Sequence, residues 1–292
     1  MLNEYLEKRR LQVEAGLDRH LPAETTRPAV LHQAMRYAAL AGGKRLRPIL
    51  CMAACEATGG QPESALIPGL AIEILHTYTL IHDDLPCMDD DALRRGRPTT
   101  HIQFGEANAL LAGDALLTLA FEWLSHVPVP SPYPPGQICR ELAIGAGSQG
   151  VIGGQVEDLA AEGMSANADL VDYIHRNKTA ALIRACTRIG AICAAAHPLH
   201  LEALSRYGEC LGLAFQIADD ILNVTSTPEQ LGKPVGSDSA LGKLTYITVH
   251  GMEKSRKRAL QLVDEAIACI TVLPGNTEPL AALARYTVNR TQ

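Results

Sequence analysis

The stretch from His76 to His101 has the most unusual order of residue types in the chain, H-T-Y-T-L-I-H-D-D-L-P-C-M-D-D-D-A-L-R-R-G-R-P-T-T-H. It passes from an apolar, helix-like segment into five aspartates and then into three arginines. Carboxylates this dense repel one another unless a cation lies among them. Aspartate oxygens are ligands that hard divalent metals prefer, and guanidinium groups suit phosphate oxygens. The stretch therefore predicts a metal and phosphate site at the end of a helix.

Pro86 determines how this stretch can fold. Asp83 and Asp89 are six residues apart, about 240° around an ideal helix, so they would diverge if the helix continued. Proline lacks an N–H and disfavours a helical conformation at the residue before it, Leu85. We therefore expect the helix to loosen here and the chain to bring Asp89 back beside Asp83. The alternative is a group of solubilising charges at a helix end, which is the commoner place for acidic residues.

A second aspartate pair, Asp219 and Asp220, lies in another apolar segment, F-Q-I-A-D-D-I-L-N. With about 3.6 residues per turn, Gln216, one of these aspartates and Asn223 share a helix face. Two facing carboxylate pairs could also bind two iron or manganese ions, but such sites use glutamates and Glu-x-x-His spacing, which neither segment has. Aspartates near arginine and lysine instead favour Mg²⁺ bound to a diphosphate.

A basic segment, G-G-K-R-L-R-P at 42–48, predicts a second anion site. Its two glycines permit a tight turn, and Pro48 is compatible with the first turn of a helix. Lys44, Arg45 and Arg47 then cluster at a helix start, where free N–H groups already favour anions. A solvated basic turn is the alternative.

The composition predicts an all-α fold. Most long segments are rich in Ala, Leu, Glu and Arg with apolar residues three and four apart, while strand-like runs are scarce. A hydrophobic content of 47% in 292 residues is enough for a sizeable core and excludes a disordered chain. We expect one domain over 1–292, with the proline-rich stretch 128–136 as a surface loop.

Charge and apolar patterning limit the partners and the location. A net charge of −6 argues against a broad nucleic-acid-binding surface. No run approaches eighteen unbroken apolar residues, and the N-terminus has no apolar core of signal-peptide length. We therefore expect a cytoplasmic protein without stable membrane insertion. The eight cysteines form no C-x-x-C pair, so neither a disulfide framework nor a zinc site is indicated.

Taken together, the motifs resemble those of the bacterial short-chain isoprenyl diphosphate synthases, and most of all the farnesyl diphosphate synthases. The matching segments are G-G-K-R-L-R-P at 42–48, H-T-Y-T-L-I-H-D-D-L-P-C-M-D-D-D at 76–91, L-R-R-G-R-P-T at 93–99, G-G-Q-V-E-D at 153–158, Lys178-Thr179, F-Q-I-A-D-D-I-L at 215–222, and the loop with Lys233 and Lys243. Several motifs in this order over nearly the whole chain make the resemblance highly specific.

The resemblance implies an isoprenoid synthase helical bundle around a deep central cavity, in a homodimer, with the two aspartate motifs facing each other. It implies three Mg²⁺ ions per site, for which Mn²⁺ can substitute, and two substrates, isopentenyl diphosphate and an allylic diphosphate. The implied metal ligands are Asp83, Asp84, Asp89, Asp219, Asp220 and Asp238. The residues implied in catalysis are Asp83, Asp84, Asp89, Arg94, Lys178, Asp219, Asp220 and Lys233. The residues implied at the allylic diphosphate are Arg94, Lys178, Lys233 and Lys243, and those at isopentenyl diphosphate are Lys44, Arg47, His76 and Arg95. Two further implied substrate-binding residues are Thr179 and Gln216.

The resemblance also bears on product length. Tyr78 precedes Asp83 by five residues, about 7.5 Å along a helix, so its ring could form a floor under the growing chain. In the family an aromatic residue at this place accompanies C15 products, so farnesyl diphosphate is the expected product, with Thr79 as a neighbouring chain-length position. Ordinary core packing of Tyr78 is the alternative, and a geranylgeranyl diphosphate synthase is the main competitor.

Two positions depart from the family's pattern, and two other classes of protein compete with it. Asn223 stands where a third aspartate is frequent and keeps an oxygen acceptor, and Ile247 stands where proline is common. A terpene cyclase ionises one diphosphate and needs no second anion site, so Lys44, Arg47 and Arg95 argue against it. A non-catalytic partner subunit should have lost metal or phosphate residues, but this chain retains both clusters.

Overall fold

The computed structural model describes residues 2–225 and 243–289, and nearly all of the regular structure in these ranges is helical. The α-helices are α1 (Leu2–His20), α2 (Ala29–Ala39), α3 (Leu46–Ala57), α4 (Leu66–Asp83), α5 (Thr100–Phe104), α6 (Glu106–Ser125), α7 (Gln137–Ala146), α8 (Val151–Ala160), α9 (Ala168–Ile174), α10 (Ala181–Cys193), α11 (Pro198–Thr225), α12 (Tyr246–His250), α13 (Met252–Cys269) and α14 (Glu278–Asn289). Short 3-10 helices cover Pro62–Ala65 and Ile270–Val272. A two-stranded hairpin pairs β1 (Leu93–Arg94) with β2 (Arg97–Pro98) in antiparallel register. The all-α prediction is confirmed.

Helix α4 is the central element of the bundle. It packs against α1, α3 and α6, and the run from Pro68 to Leu75 is buried without interruption. A helix that is apolar on all sides requires neighbours on all sides, which explains its place in the core. Gly69 permits close approach to α3, since a Cβ there would lie 3.0 Å from Pro48 Cβ. The core therefore fixes the direction in which Asp83, the last residue of α4, points.

Arg45 belongs to this core rather than to an anion site. Its backbone is left-handed, with φ of 52°, and it precedes the first residue of α3. Its guanidinium lies 2.9 Å from Glu73 Oε1 of α4 and donates a 2.8 Å hydrogen bond to the carbonyl of Ala39. The side chains of Arg45 and Glu73 are 1% and 3% exposed. The expected cluster of three cations is thus reduced to Lys44 and Arg47.

Residues 167–196 have the composition of one continuous helix, but a π-helical segment, His175–Ala180, lies within them. Two glycines make room for it: a Cβ at Gly154 of α8 would lie 2.2 Å from the backbone nitrogen of Lys178, and one at Gly212 of α11 would lie 2.4 Å from Ala180 Cα. Close helix contact is therefore what the glycine-rich stretch 145–155 provides, as the sequence predicts. Such π turns often occur at functional sites.

Residues 243–289 form three α-helices, α12 to α14. Gly251, with φ of 80°, separates α12 from α13, and a Thr245–Thr248 capping box starts α12. The proline-rich stretch 128–136 is non-helical, as expected.

Within residues 2–225 and 243–289, two helical stretches are long and apolar enough to cross a membrane by length and composition alone. In the first, Pro62–Asp83, 72% of the apolar window is buried inside the protein, so the core accounts for it. In the second, α6, only 33% of the window is buried. Leu110 and Leu111 of α6 remain 45% and 55% exposed. Helix α6 therefore has an apolar face that this single chain does not cover.

Candidate active site

A cavity of about 740 Å³ lies where α3, α4, α8, α11, the hairpin and the π-helical segment meet. It brings together most of the described residues that the sequence assigns to the two diphosphates. Among its lining residues are Lys44, Arg47, His76, Thr79, Asp83, Arg94, Arg95, Gln155, Lys178, Thr179, Gln216 and Asp219. The sequence separates these residues widely, so their convergence is a result of the fold.

The chain turns back after α4 as Pro86 predicts. The backbone N–H of Asp89 donates a 2.8 Å hydrogen bond to the carbonyl of Asp83, which places the two aspartates side by side. Burial raises the pKa of Asp83 to about 6; Lys178 opposes this rise, and the negative charge of Asp89 adds to it. The Asp83 carboxylate is therefore desolvated and has a second carboxylate beside it.

Asp84 faces away from Asp83 and towards the hairpin. Arg94 Nε lies 2.7 and 2.8 Å from its two carboxylate oxygens, and Arg94 Nη2 lies 2.6 Å from Oδ1. Asp84 is 3% exposed. The resemblance implies that Asp84 binds a metal, but the structure engages both of its oxygens with Arg94. This bidentate pair ties the hairpin to the end of α4.

The second aspartate pair divides in the same way. Asp219 lines the cavity. Asp220 is 3% exposed and accepts hydrogen bonds from Gln216 Nε2 at 3.0 Å and from the backbone N–H of Tyr246 at 2.7 Å. His175 Nε2 lies 3.4 Å from it. Asp220 therefore joins α11 to the start of α12 and to the π-helical segment, whereas Asp219 faces the space where a ligand binds.

The four residues assigned to isopentenyl diphosphate all line the cavity and lie near one another: the charges of Arg47 and Arg95 act on His76, and Arg95 contacts the backbone of Gly42, two residues before Lys44. We call this group the cationic wall. Lys44 and Arg47 come from the start of α3, His76 from α4, and Arg95 from the hairpin. Burial, followed by the charges of Arg47 and Arg95, holds the pKa of His76 well below its usual range. Arg47 Nε is buried and has no hydrogen-bond partner among the described residues. This wall is therefore cationic, with a neutral imidazole and an unsatisfied donor.

Two lysines near the first aspartate motif form ion pairs with carboxylates. Lys178 Nζ lies 2.6 Å from Asp158 Oδ2. Lys243 Nζ lies 3.0 Å from Asp89 Oδ1 and 3.9 Å from Asp158 Oδ2. Thr179 Oγ1 donates a 2.7 Å hydrogen bond to Gln216 Oε1.

Sequence reasoning missed two residues of α8. Asp158 holds the two lysines, and Gln155 lines the cavity with a buried Nε2 that has no hydrogen-bond partner among the described residues. The signal for both was available, because Val151, Gly154, Gln155 and Asp158 recur at helical spacing and form the buried stripe of α8.

The two chain-length residues lie on different sides of α4. Thr79 lines the cavity, and its Oγ1 donates a 2.7 Å hydrogen bond to the carbonyl of His76. Tyr78 is 6% exposed, is not among the residues lining the cavity, and packs edge-on against His82 with ring centroids 5.4 Å apart. The role of Tyr78 as a floor stays a prediction.

The donor set fits Mg²⁺. Within residues 2–225 and 243–289, no three or more His, Cys, Asp or Glu side chains are already arranged around a metal position. Mg²⁺ does not require such a cage, because it binds through one or two carboxylates with waters and substrate phosphates. Asp83 and Asp219 offer carboxylate oxygens that line the cavity, and Asp89 lies beside Asp83. Lys233 and Asp238 lie outside the described residues.

The sequence and the fold of this chain are both similar to those of known proteins. Residues 28–272 match the family model for polyprenyl synthetase. A heterodimeric geranylgeranyl pyrophosphate synthase large subunit of Arabidopsis thaliana is 45% identical over 285 residues, which cover 95% of this chain and 76% of that protein. The chloroplastic geranylgeranyl pyrophosphate synthase of Capsicum annuum is 43% identical, over 98% of this chain and 78% of that protein.

Two solved structures extend the comparison to three dimensions. An FPP/GFPP synthase from Zymomonas mobilis superposes with a TM-score of 0.87 at 39% identity, over 98% of each chain. A Helicobacter pylori geranyltransferase, solved with magnesium and isoprenyl diphosphate, superposes with a TM-score of 0.81 at 34% identity, over 99% of this chain and 95% of that one. Since the family model covers most of the chain and the fold is shared along nearly its whole length, the chain belongs to the polyprenyl synthetase family.

Proposed function

We propose that this prenyltransferase-family chain condenses isopentenyl diphosphate with an allylic diphosphate, head to tail. The observation that carries the proposal is one cavity with two anion-binding walls. Asp83 and Lys178 interact electrostatically on one wall, Lys44 and Arg47 belong to the other, and Asp219 is close enough to Arg47 for their charges to interact. A reaction that joins two diphosphate substrates needs both walls, whereas ionisation of a single diphosphate needs one.

The residues of the first wall bind and activate the allylic diphosphate. Asp83, Asp89 and Asp219 would hold Mg²⁺, which would supply positive charge that stabilises the departing diphosphate. Lys178 and Arg94 donate hydrogen bonds to its oxygens, which favours the charge that develops as the C1–O bond breaks. The use of three ions, and the substitution of Mn²⁺, stay predictions from the resemblance.

The second wall positions the nucleophile. Lys44, Arg47 and Arg95 bind the diphosphate of isopentenyl diphosphate, and neutral His76 offers a hydrogen bond without adding charge. The double bond of isopentenyl diphosphate attacks C1 of the allylic cation, a C–C bond forms, and a proton leaves to the departed diphosphate. Phe215 and the other apolar lining residues exclude water, which would otherwise capture the cation.

Two product lengths are candidates. The curated relatives, 41–46% identical, are named as geranylgeranyl pyrophosphate synthases, which favours the C20 product over the C15 product expected from the sequence. Farnesyl diphosphate is the second candidate, because Tyr78 keeps an aromatic residue five positions before Asp83. Among the structural neighbours, one is named an FPP/GFPP synthase and another a geranylgeranyl pyrophosphate synthetase.

A homodimer in the cytoplasm completes the proposal. Leu110 and Leu111 of α6 and Ile144 of α7 expose apolar side chains that a second copy would cover. Exposed apolar patches of this kind commonly mark interfaces between proteins. One relative is named a subunit of a heterodimer, so a different partner chain is the alternative outcome for this face.

The direct test incubates the purified chain with Mg²⁺, isopentenyl diphosphate and dimethylallyl or geranyl diphosphate, followed by chromatography of the prenyl products. We expect C15 and C20 diphosphates in the product mixture, and their ratio decides between the two lengths. Asp219→Asn should reduce the rate at least a hundredfold, whereas Asp264→Asn, at an exposed position of α13, should leave it unchanged. Absence of any condensation product would overturn the proposed function.

A further inference from the structure

The buried stripe of α8 is part of the wall on the allylic side of the cavity. Gly154 packs against the backbone of Lys178, so close that a Cβ would lie 2.2 Å from its nitrogen. One turn later on the same stripe, Asp158 points towards the side chain of that lysine. Helix α8 therefore positions Lys178 twice, by its backbone through Gly154 and by its ammonium group through Asp158.

The carboxylate of Asp158 is in a strongly desolvated position. Its side chain is 9% exposed, and an ionised carboxylate at such a depth requires paired positive charge. Lys178 Nζ, at 2.6 Å, and Lys243 Nζ, at 3.9 Å, provide it. Lys178 depends on Asp158 in turn. Without Asp158, its ammonium group would have no carboxylate within 4 Å among the described residues.

Lys243 connects Asp158 to the first aspartate motif. Its Nζ lies 3.0 Å from Asp89 Oδ1 and 3.9 Å from Asp158 Oδ2. These ion pairs form one chain of alternating charge, which runs in the order Lys178, Asp158, Lys243, Asp89. This chain joins α8, the π-helical segment, the residues before α12 and the turn after α4.

Asp158 itself faces a smaller space beside the main cavity. It lines an adjoining cavity of about 90 Å³, together with Lys178, Lys243 and Asp220, and it is not among the residues lining the 740 Å³ cavity. Lys178 lines both cavities. Asp158 therefore acts on the larger cavity through Lys178 rather than by contact with a ligand.

We propose that Asp158 is a positioning residue that fixes the ammonium groups of Lys178 and Lys243 towards the allylic diphosphate. The inference rests on the proposed function. Long lysine side chains lose considerable rotamer freedom when they bind an anion, and a fixed ammonium has already lost it before the substrate arrives. Loss of Asp158 should therefore weaken the binding of the allylic diphosphate and leave the binding of isopentenyl diphosphate nearly unchanged.

The test compares Asp158→Asn and Asp158→Glu with Glu157→Gln. Glu157 is the preceding residue of α8 and forms no ion pair among the described residues, so Glu157→Gln removes the same charge without affecting the lysines. Asp158→Asn should raise the KM for geranyl diphosphate about tenfold and change the KM for isopentenyl diphosphate less than twofold, because a charge-assisted pair is lost at one wall only. Asp158→Glu, which keeps the carboxylate, should recover most of the loss.

A double-mutant cycle separates positioning from a purely structural role. Lys178→Met should cost activity in the wild-type background and much less in the Asp158→Asn background, since the two side chains act as one unit. Additive losses, equal rises in both KM values, or kinetics matching those of Glu157→Gln would overturn the inference. Thermal unfolding identifies variants that do not fold, and if Asp158→Asn is one of them, Asp158→Ser, which also removes the carboxylate, takes its place in each comparison.

A binding measurement separates this inference from the proposed function. Calorimetric titration with Mg²⁺ and inorganic diphosphate should show about tenfold weaker binding for Asp158→Asn than for Glu157→Gln, whether or not the protein condenses prenyl substrates. Equal affinity of the two variants would contradict the positioning role alone. Absence of product from the wild-type protein would contradict the proposed function alone.

Discussion

Neighbouring aspartates in each motif have different partners because adjacent residues on a helix point about 100° apart. Asp83 and Asp219 line the cavity, while Asp84 is bound by Arg94 and Asp220 by Gln216 and the backbone of Tyr246. Each adjacent pair therefore has one carboxylate that lines the cavity and one that holds the surrounding structure in place. The rotation of the helix, which tertiary packing sets, decides which is which.

His76 should make the stability of the protein depend on pH. Its folded-state pKa lies well below the usual 6.5 because the half-buried ring is desolvated and lies near several arginines, so the unfolded chain takes up a proton near that pH before the folded protein does. The contribution of His76 is therefore complete above about pH 6.5 and is lost as the pH falls towards the folded-state pKa. We expect the free energy of unfolding in urea to fall by about 1 kcal/mol from this group between pH 7.5 and 5.5. A His76→Gln variant with an undiminished pH slope would contradict this.

Tyr78 offers a test of product length at a single side chain. Tyr78→Ala removes a buried ring five residues before Asp83, and we expect products longer than those of the unchanged protein, as resolved by chromatography. Tyr78→Phe keeps the ring and should keep the product distribution. The alanine variant should also lose about 3 kcal/mol of stability, because the ring is buried. An unchanged distribution in Tyr78→Ala would place the stop elsewhere in the cavity.

At the scale of elements, the buried Arg45–Glu73 pair determines how α3 begins against α4. Glu73→Gln would leave the guanidinium of Arg45 buried without a countercharge, so we expect a loss of about 3 kcal/mol or more in the free energy of unfolding. Glu14→Gln is the matched control, since it breaks a partly exposed 2.8 Å pair with Arg10 on α1 and should cost less than about 0.5 kcal/mol. Similar small losses in both variants would show that the buried pair does not stabilise the packing of α3 on α4.

The sequence was sufficient where local chemistry decides the structure. It predicted the turn at Pro86 that brings Asp89 beside Asp83. It did not predict the π-helical segment, because that conformation depends on Gly154 and Gly212 of helices that pack against it. The role of Asp158, the last residue of G-G-Q-V-E-D, was missed for the same reason. That role depends on Lys178 and Lys243, which are distant in the sequence and close only in the fold.

At the scale of the whole molecule, the uncovered face of α6 predicts a dimer. Light scattering should give twice the 31.3 kDa chain mass, because α6 exposes a row of apolar side chains that a second copy would bury. Leu111→Asp places a charge on this face and should shift the mass towards that of one chain. Leu199→Asp alters a 70% exposed leucine at the start of α11 and should leave the dimer intact. A wild-type protein with the mass of one chain would contradict the dimer.

The fold brings two anion-binding walls into one cavity, and the central claim is that both walls serve one reaction. The most direct test measures inorganic diphosphate release from geranyl diphosphate and Mg²⁺, with and without isopentenyl diphosphate. We predict that release is at least tenfold faster with isopentenyl diphosphate and matches, one for one, the five-carbon units added to the product. Release at the same rate without it would contradict the account, because the cationic wall formed by Lys44, Arg47, His76 and Arg95 would then have no part in the reaction.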